Sequence, residues 1–211
     1  MAINNLLIGG SSLLALMSIF LIVFLVNFYR NPERKIPKGN LIVSPADGRV
    51  ISIVETNQRS LRVKKGYLGK IRSYTKEVAP ETKVISIFMS PLDVHYNRAP
   101  IKGTVVSVRH TRGKFFKAYD LEKSLLNEKN EIIIKNELLT IKVIQIAGFL
   151  ARRIQCFVAA DQKVDKGQIL GRIVLGSQAT LILPSKVKLK VKEGDKVKAG
   201  SSVIAYYKRG Q

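Results

Sequence analysis

Several absences narrow what this 211-residue chain can be. There is one cysteine, Cys156, so no intrachain disulfide can form. A lone thiol in an apolar-basic run suits a reducing compartment and a buried filling role. Histidine occurs only at 95 and 110. No His/Cys cluster has zinc spacing, and there is no glycine-rich phosphate loop and no Gly-x-Gly-x-x-Gly, so no metal site is expected. Acidic residues are scarce, 15 against 36 Lys and Arg, which leaves a net charge of +21. No charged residue precedes Arg30. Beyond that point, helical periodicity is poor.

What the front of the chain does have is an uncharged run from Leu6 to Val26, dominated by Leu, Ile, Val, Phe, Ala and Met. About twenty such residues cross a hydrocarbon core as a helix. A cleaved signal peptide is disfavoured by the missing basic n-region, the length of the run and the lack of a small-x-small cleavage site. Residues 1–27 are therefore expected to form a retained transmembrane anchor helix. Arg30, Arg34, Lys35 and Lys38 follow it directly, and the positive-inside rule places everything from Phe28 onward on the cytoplasmic side of the cell membrane. The basic domain then faces an anionic leaflet, each Lys or Arg near the surface being worth about 1 kcal/mol. Nucleic acid is not expected as a partner, because the lysines are spread along strand-like segments without an RNA-binding aromatic signature or a recognition helix.

Residues 28–40 are punctuated by Pro and Gly and are expected to be a linker. From Leu41 the chain reads as short strands broken by turns, among them Gly48–Val54, Lys83–Met89, Gly103–Arg109, Leu139–Ala147, Gly167–Val174 and Thr180–Leu183. Only Lys117–Asn127 could form a short helix, and Phe149–Ile154 reads as a helical turn or a bent strand. Val43-Ser-Pro-Ala-Asp-Gly-Arg-Val-Ile-Ser-Ile-Val54 resembles Ile182-Leu-Pro-Ser-Lys-Val-Lys-Leu-Lys-Val191. The turn in Gly194-Asp-Lys-Val-Lys-Ala-Gly200 is repeated in Ala160-Asp-Gln-Lys-Val-Asp-Lys-Gly167. Turns of this kind recur in biotinyl/lipoyl-type β-sandwiches. The expected fold is thus mainly β, a sandwich- or barrel-like domain over 41–211 with biotinyl/lipoyl-like halves, behind one transmembrane helix.

Few residues could carry chemistry. The apolar run Leu170–Leu175 stops at Gly176-Ser177 and resumes as Ala179–Leu183, which reads as two strands joined by a tight turn. Most Gly-Ser steps are only turns, yet this serine hydroxyl stands beside a carbonyl it could attack. His95 lies in the polar loop Met89-Ser-Pro-Leu-Asp-Val-His-Tyr-Asn-Arg-Ala-Pro100, after an apolar strand, where sites tend to be held. His110, set among Arg109, Arg112 and Lys114, is a weaker candidate because cations disfavour imidazolium. Asp47 in Asp47-Gly48 suits an ordinary turn. A Ser-His-Asp hydrolase with Ser177 as nucleophile is one arrangement of these groups, although such a serine usually stands on a strand-to-helix elbow. A non-enzymatic membrane adaptor would explain the anchor and the β repeats, but not Gly176-Ser177.

Phe28-Tyr-Arg-Asn-Pro32, Ser44-Pro-Ala-Asp-Gly48, Met89-Ser-Pro-Leu-Asp-Val-His-Tyr-Asn-Arg98 and Gly113-Lys-Phe115 resemble the phosphatidylserine decarboxylase proenzyme family. So do Asn127-Glu-Lys-Asn-Glu131, Gln145-Ile-Ala-Gly148, Ala151-Arg-Arg153 and Leu175-Gly-Ser177. The matches run in order from residue 28 to about 200, and the compact length resembles the short prokaryotic branch, which includes archaetidylserine enzymes. The resemblance implies self-cleavage between Gly176 and Ser177, giving a β-chain of residues 1–176 and an α-chain of 177–211. It also implies that Ser177 becomes a covalent pyruvoyl cofactor, which forms a Schiff base with an anionic serine phospholipid. Asp47 and His95 fall on the motifs of the auxiliary catalytic pair, with His95 moving the proton and Asp47 orienting it. Longer members carry a second histidine where this chain has Arg98. Arg98, Lys114, Arg152 and Arg153 are candidates for holding the lipid phosphate or carboxylate, and homo-oligomerisation is left open.

Overall fold

The computed structural model describes residues 2–57, 75, 77–113, 126–148, 153–174 and 177–207, with side chains described from Ser12 onward. The uncharged N-terminal run forms one helix, α1 (Ala2–Phe28). It stops where Asn31 is followed by Pro32, since the residue before a proline is pushed out of helical geometry. The Arg30 guanidinium caps the end, donating to the Asn27 carbonyl at 2.5 Å. The transmembrane expectation is met only in its secondary structure. Among the described residues, no helix is long and apolar enough to cross a membrane.

The rest is β. An eight-stranded antiparallel sheet is ordered β13 (Lys196–Val197), β2 (Gly48–Asn57), β3 (Glu81–Met89), β11 (Ser177–Pro184), β7 (Thr140–Ala147), β6 (Lys129–Lys135), β5 (Gly103–Thr111), β9 (Lys163–Val164). Two three-stranded sheets complete it: β1 (Leu41–Val43) with β14 (Val203–Tyr206) and β12 (Lys188–Leu189), and β4 (Tyr96–Arg98) with β10 (Ile169–Ile173) and β8 (Ile154–Cys156). Ile42 and Ile204 from one small sheet and Leu170 and Ile173 from the other join Ile87, Met89, Ile132, Val143 and Leu181 of the large sheet in one core. Each such side chain contributes on the order of 2 kcal/mol. The fold is mainly β, consistent with the expected sandwich- or barrel-like domain. Central strand β11 is buried along its whole length, its polar residues Ser177, Gln178 and Thr180 included.

Of the two internal repeats, 194–200 does correspond to 160–167, but the other falls elsewhere than the sequence similarity places it. Val50 exchanges backbone hydrogen bonds with Asp195 and Gly194, and Val105 does the same with Gln162 and Asp161. Ser44 is tied to Gly200 and Ser202, and Ala99 to Gly167 and Gln168. The stretch after Ser44 therefore corresponds to the stretch after Ala99, not to 182–191. A Cβ on Gly48 would lie 2.1 Å from the Phe88 carbonyl oxygen, and one on Gly103 would lie 2.4 Å from that of Lys135, so both halves require glycine where the neighbouring strand comes closest.

Two further expectations change. The Gly-Ser step is not a hairpin: β10 belongs to a small sheet and β11 to the centre of the large one, so the chain crosses between sheets there. Residues 175–176 themselves lie outside the described residues, as do most of the possible helix 117–127 and the start of 149–154. The supposed linker is strapped to the domain. Phe28 is buried, Arg98 donates to the Asn31 side chain, Arg34 is paired with Asp47, and Lys166 donates to the Gly39 carbonyl. Its Pro and Gly residues shape a docked strap rather than a free tether.

Candidate active site

Ser177 is the first residue of β11, fully buried, with Met89 opposite it on β3 and Ala147 opposite it on β7. Backbone pairing on both sides fixes its position. Odd-numbered residues of β11 face the main core, and the Ser177 hydroxyl donates to the Met89 thioether at 3.4 Å, a weak acceptor. A buried polar chain leads away from that sulfur. Asn97 Nδ2 lies 3.7 Å from Met89 Sδ, Gln145 Nε2 donates to Asn97 Oδ1 at 2.8 Å, and Asn130 Nδ2 donates to Gln145 Oε1 at 2.9 Å. The amides satisfy one another along the chain as far as Asn130, whose Oδ1 is buried without a hydrogen-bond partner among the described residues.

His95 is 1% exposed, just before β4, and its carbonyl accepts from the Ile173 amide at 3.2 Å. Ring atom Nδ1 lies 2.8 Å from the Asp93 carbonyl, which can only accept, so Nδ1 carries the proton and Nε2 the lone pair. Among the described residues, Nε2 is buried without a hydrogen-bond partner. The Phe28 ring covers the imidazole at 4.2 Å between centroids. Burial lowers the His95 pKa to about 4, with Arg30 adding to the effect and Asp93 opposing it, so the ring is neutral at physiological pH. A neutral imidazole with an unused lone pair in a dry site can accept a proton and return it.

Asp47 does not orient His95. Its carboxylate takes both oxygens to Arg34 Nη2, at 3.0 and 2.9 Å, and accepts from the Ala199 amide at 2.8 Å. The turn between β1 and β2 aims it at the strap and at the C-terminal repeat, while His95 gets its orientation from the carbonyl two residues before it. Arg98 is likewise committed. It donates to the Gly167 carbonyl at 2.8 Å and to Asn31 at 2.7 Å, so it pins the strap instead of waiting for a ligand. Its position three residues after His95 thus serves structure. Arg153 is exposed, with its carbonyl bonded to the Val174 amide; Lys114 and Arg152 lie outside the described residues. His110 stands half-exposed 3.4 Å from Glu128, an acidic neighbour rather than the cations its sequence context suggests. Cys156 is exposed at the end of an edge strand, not a buried filler. No metal-binding cluster occurs among the described residues.

The sequence reading missed Phe28, Met89, Asn97 and Gln145 as site residues. Each lies inside one of the stretches that carried the family resemblance, which was the available signal.

This is a mainly β domain that buries a serine at the head of its central strand, next to a thioether from which a chain of buried amides leads away, and that separately buries a neutral histidine. The phosphatidylserine decarboxylase family model matches residues 21–205, and the chain belongs to this family of carboxy-lyases. It is 42% identical to a phosphatidylserine decarboxylase proenzyme of Carboxydothermus hydrogenoformans, over 92% of this chain and 85% of that one. It is 41% identical to a proposed archaetidylserine decarboxylase proenzyme of Methanocaldococcus jannaschii, over 88% and 90%. Identity to a phosphatidylserine decarboxylase proenzyme of Chlorobaculum tepidum is 37%, over 92% and 83%.

Proposed function

We propose that this protein decarboxylates phosphatidylserine or its archaeal ether counterpart to the ethanolamine lipid, after cutting itself between Gly176 and Ser177. The observation that carries the reading is Ser177 itself: a fully buried serine, locked by two neighbouring strands, directly after a glycine. Its hydroxyl attacks the Gly176 carbonyl and converts the peptide bond to an ester. Loss of the Ser177 α-proton then expels the Gly176 carboxylate, and water displaces ammonia from the dehydroalanine, leaving a pyruvoyl group on residue 177. Only a β-hydroxyl permits both attack and elimination.

The surroundings fit such a group. The position is dry, its backbone is fixed, and its side-chain neighbour is a thioether that competes for no proton. When formed, the pyruvoyl group supplies the electron sink for carbon–carbon cleavage, the work of an organic cofactor. The chain's own residues exclude water, hold the amide chain from Asn97 to Asn130, and present His95 Nε2 to move the proton at the carbon that loses carbon dioxide. Asp47 supports the site at one remove, by holding the strap that carries Phe28.

The helix supports a membrane-associated reading. Leu13, Leu14, Met17, Phe20 and Val26 are all more than 60% exposed, an apolar surface that lipid covers and water does not.

Intact mass of the purified protein beside Ser177→Ala tests the proposal. The wild type should yield a fragment of residues 177–211 lighter by one ammonia than its serine-terminated form, and Ser177→Ala should stay whole. A folded, uncut wild type would leave a serine hydrolase as the better reading.

A further inference from the structure

Arg172 of β10 lies directly across from Tyr96 of β4 and Gln155 of β8. Its guanidinium carbon is 5.0 Å from the centre of the Tyr29 ring and 5.8 Å from that of Tyr96. Nε donates to the Gln155 side chain and Nη1 to the Tyr96 hydroxyl at 3.3 Å. No carboxylate among the described residues forms an ion pair with it, whereas Arg34 has Asp47 and Arg109 has Glu77. This is a half-buried cation, oriented by two aromatic faces and two neutral acceptors, whose charge the described protein leaves uncompensated.

Its placement gives that charge a purpose. The next residue, Ile173, is hydrogen-bonded to the His95 carbonyl, and the residue before Tyr29 is the Phe28 that covers the His95 ring. Arg172 is thus one residue from the contacts of His95 on two sides, at the foot of the apolar helix. We infer that Arg172 receives the phosphodiester of the substrate lipid. A serine phospholipid whose tails run beside α1 presents its phosphate at the level of Tyr29, with the serine amine and carboxylate reaching inward to His95 and Ser177. A guanidinium held over two ring faces and tied by Nε and Nη1 keeps its remaining donor, Nη2, ready for phosphate oxygens. Arg98, the candidate arginine three residues after His95, has both terminal nitrogens engaged by protein carbonyl oxygens.

The inference rests on the decarboxylase reading, and the experiment separates the two. Carbon dioxide release is measured from a short-chain serine phospholipid below its aggregation concentration and from the long-chain lipid in vesicles, with self-cleavage followed by mass. Wild type that releases none removes the decarboxylase reading. With active wild type, Arg172→Gln should raise KM for the monomeric substrate about tenfold or more, the loss falling on KM rather than kcat, and Arg172→Lys should recover part of it. An unmoved KM for monomeric substrate overturns the inference, and a loss seen only with vesicles assigns the guanidinium to neighbouring bilayer phosphates instead. Should Arg172→Gln fail to fold, Tyr29→Leu and Gln155→Ala loosen the guanidinium without removing it. A KM unmoved in both overturns the inference equally.

Discussion

The His95 imidazole and the Phe28 ring are packed 4.2 Å apart, tilted by 37°, so the last residue of the N-terminal helix forms one wall of the histidine's environment. Burial, to which Phe28 contributes, is the main reason the His95 pKa falls from 6.5 to about 4. The sign of the consequence follows from proton counting. Between these values the unfolded chain holds the His95 proton and the folded one does not, so stability falls as pH drops from 6.5 toward 4, by about 3 kcal/mol in all. Below 4 both states are protonated and the loss stops growing. Denaturant titrations of wild type and His95→Gln across this window should show the slope in the first and its reduction in the second. Phe28→Ala should bring the His95 titration, read by NMR, back toward 6.5. A midpoint that stays near 4 in that variant would contradict the role given to Phe28.

Asp47 and His95 share no hydrogen bond, whereas Asp47 and Arg34 share two. A double-mutant cycle distinguishes these relations. Asp47→Asn leaves the buried Arg34 guanidinium without its counter-charge and should cost about 3 kcal/mol of stability. The coupling of Asp47→Asn with Arg34→Gln should reach about 1 kcal/mol or more, against less than about 0.5 for Asp47→Asn with His95→Gln. Strong coupling to His95 would restore the orienting role that the sequence motif suggested.

Gly48 combines a positive φ with a backbone atom in the way of a Cβ, whereas the close neighbour of Gly167, which also has a positive φ, is the end of the flexible Ile36 side chain. The Gly48 φ is +143°, and an added Cβ would sit 2.1 Å from the Phe88 carbonyl oxygen. Gly39 has φ +91° but open space around it. Gly48→Ala should therefore cost about 3 to 5 kcal/mol, from strain plus displacement of β3, while Gly39→Ala should cost about 1 kcal/mol. Equal melting temperatures for the two variants would show that β3 moves aside freely.

The strands were legible because their physics is local. β2, β3, β5 and β7 were read within three residues of their observed bounds, from β-branched runs and Gly or Pro turns. The two-residue strands β9 and β13 and the three-residue β4 were not, since their pairing comes from tertiary neighbours and leaves no periodic trace. Ser177 stood out as a hydroxyl interrupting an apolar run, and His95 as a histidine in a polar loop after an apolar strand. Who pairs with whom did not. Nothing in Ser44-Pro-Ala-Asp-Gly48 says that the carboxylate turns toward Arg34, or that Arg98 folds back onto Asn31, because both contacts depend on the strap lying against the domain. Pro and Gly made residues 28–40 look like a tether, and only the buried Phe28 and the Arg34–Asp47 pair correct that.

That correction has a direct test in truncation. Removing residues 1–26 deletes the exposed apolar helix but keeps Phe28, the Arg34–Asp47 pair and the Arg98–Asn31 bond. This shortened protein should fold, cut itself at Ser177 and dissolve without detergent. Removing residues 1–40 takes Phe28 from the His95 ring, leaves Asp47 without Arg34 and Arg98 without Asn31, and removes Ile36 from beside Gly167. Losing the buried ion pair and one large apolar side chain together costs about 6 kcal/mol, comparable to the whole stability of many domains. The longer truncation should therefore aggregate or stay uncut, as seen by gel mobility and mass, while the shorter one is processed. Equal processing of both would mean that the strap is a tether after all, and that His95 owes its environment to the β domain alone.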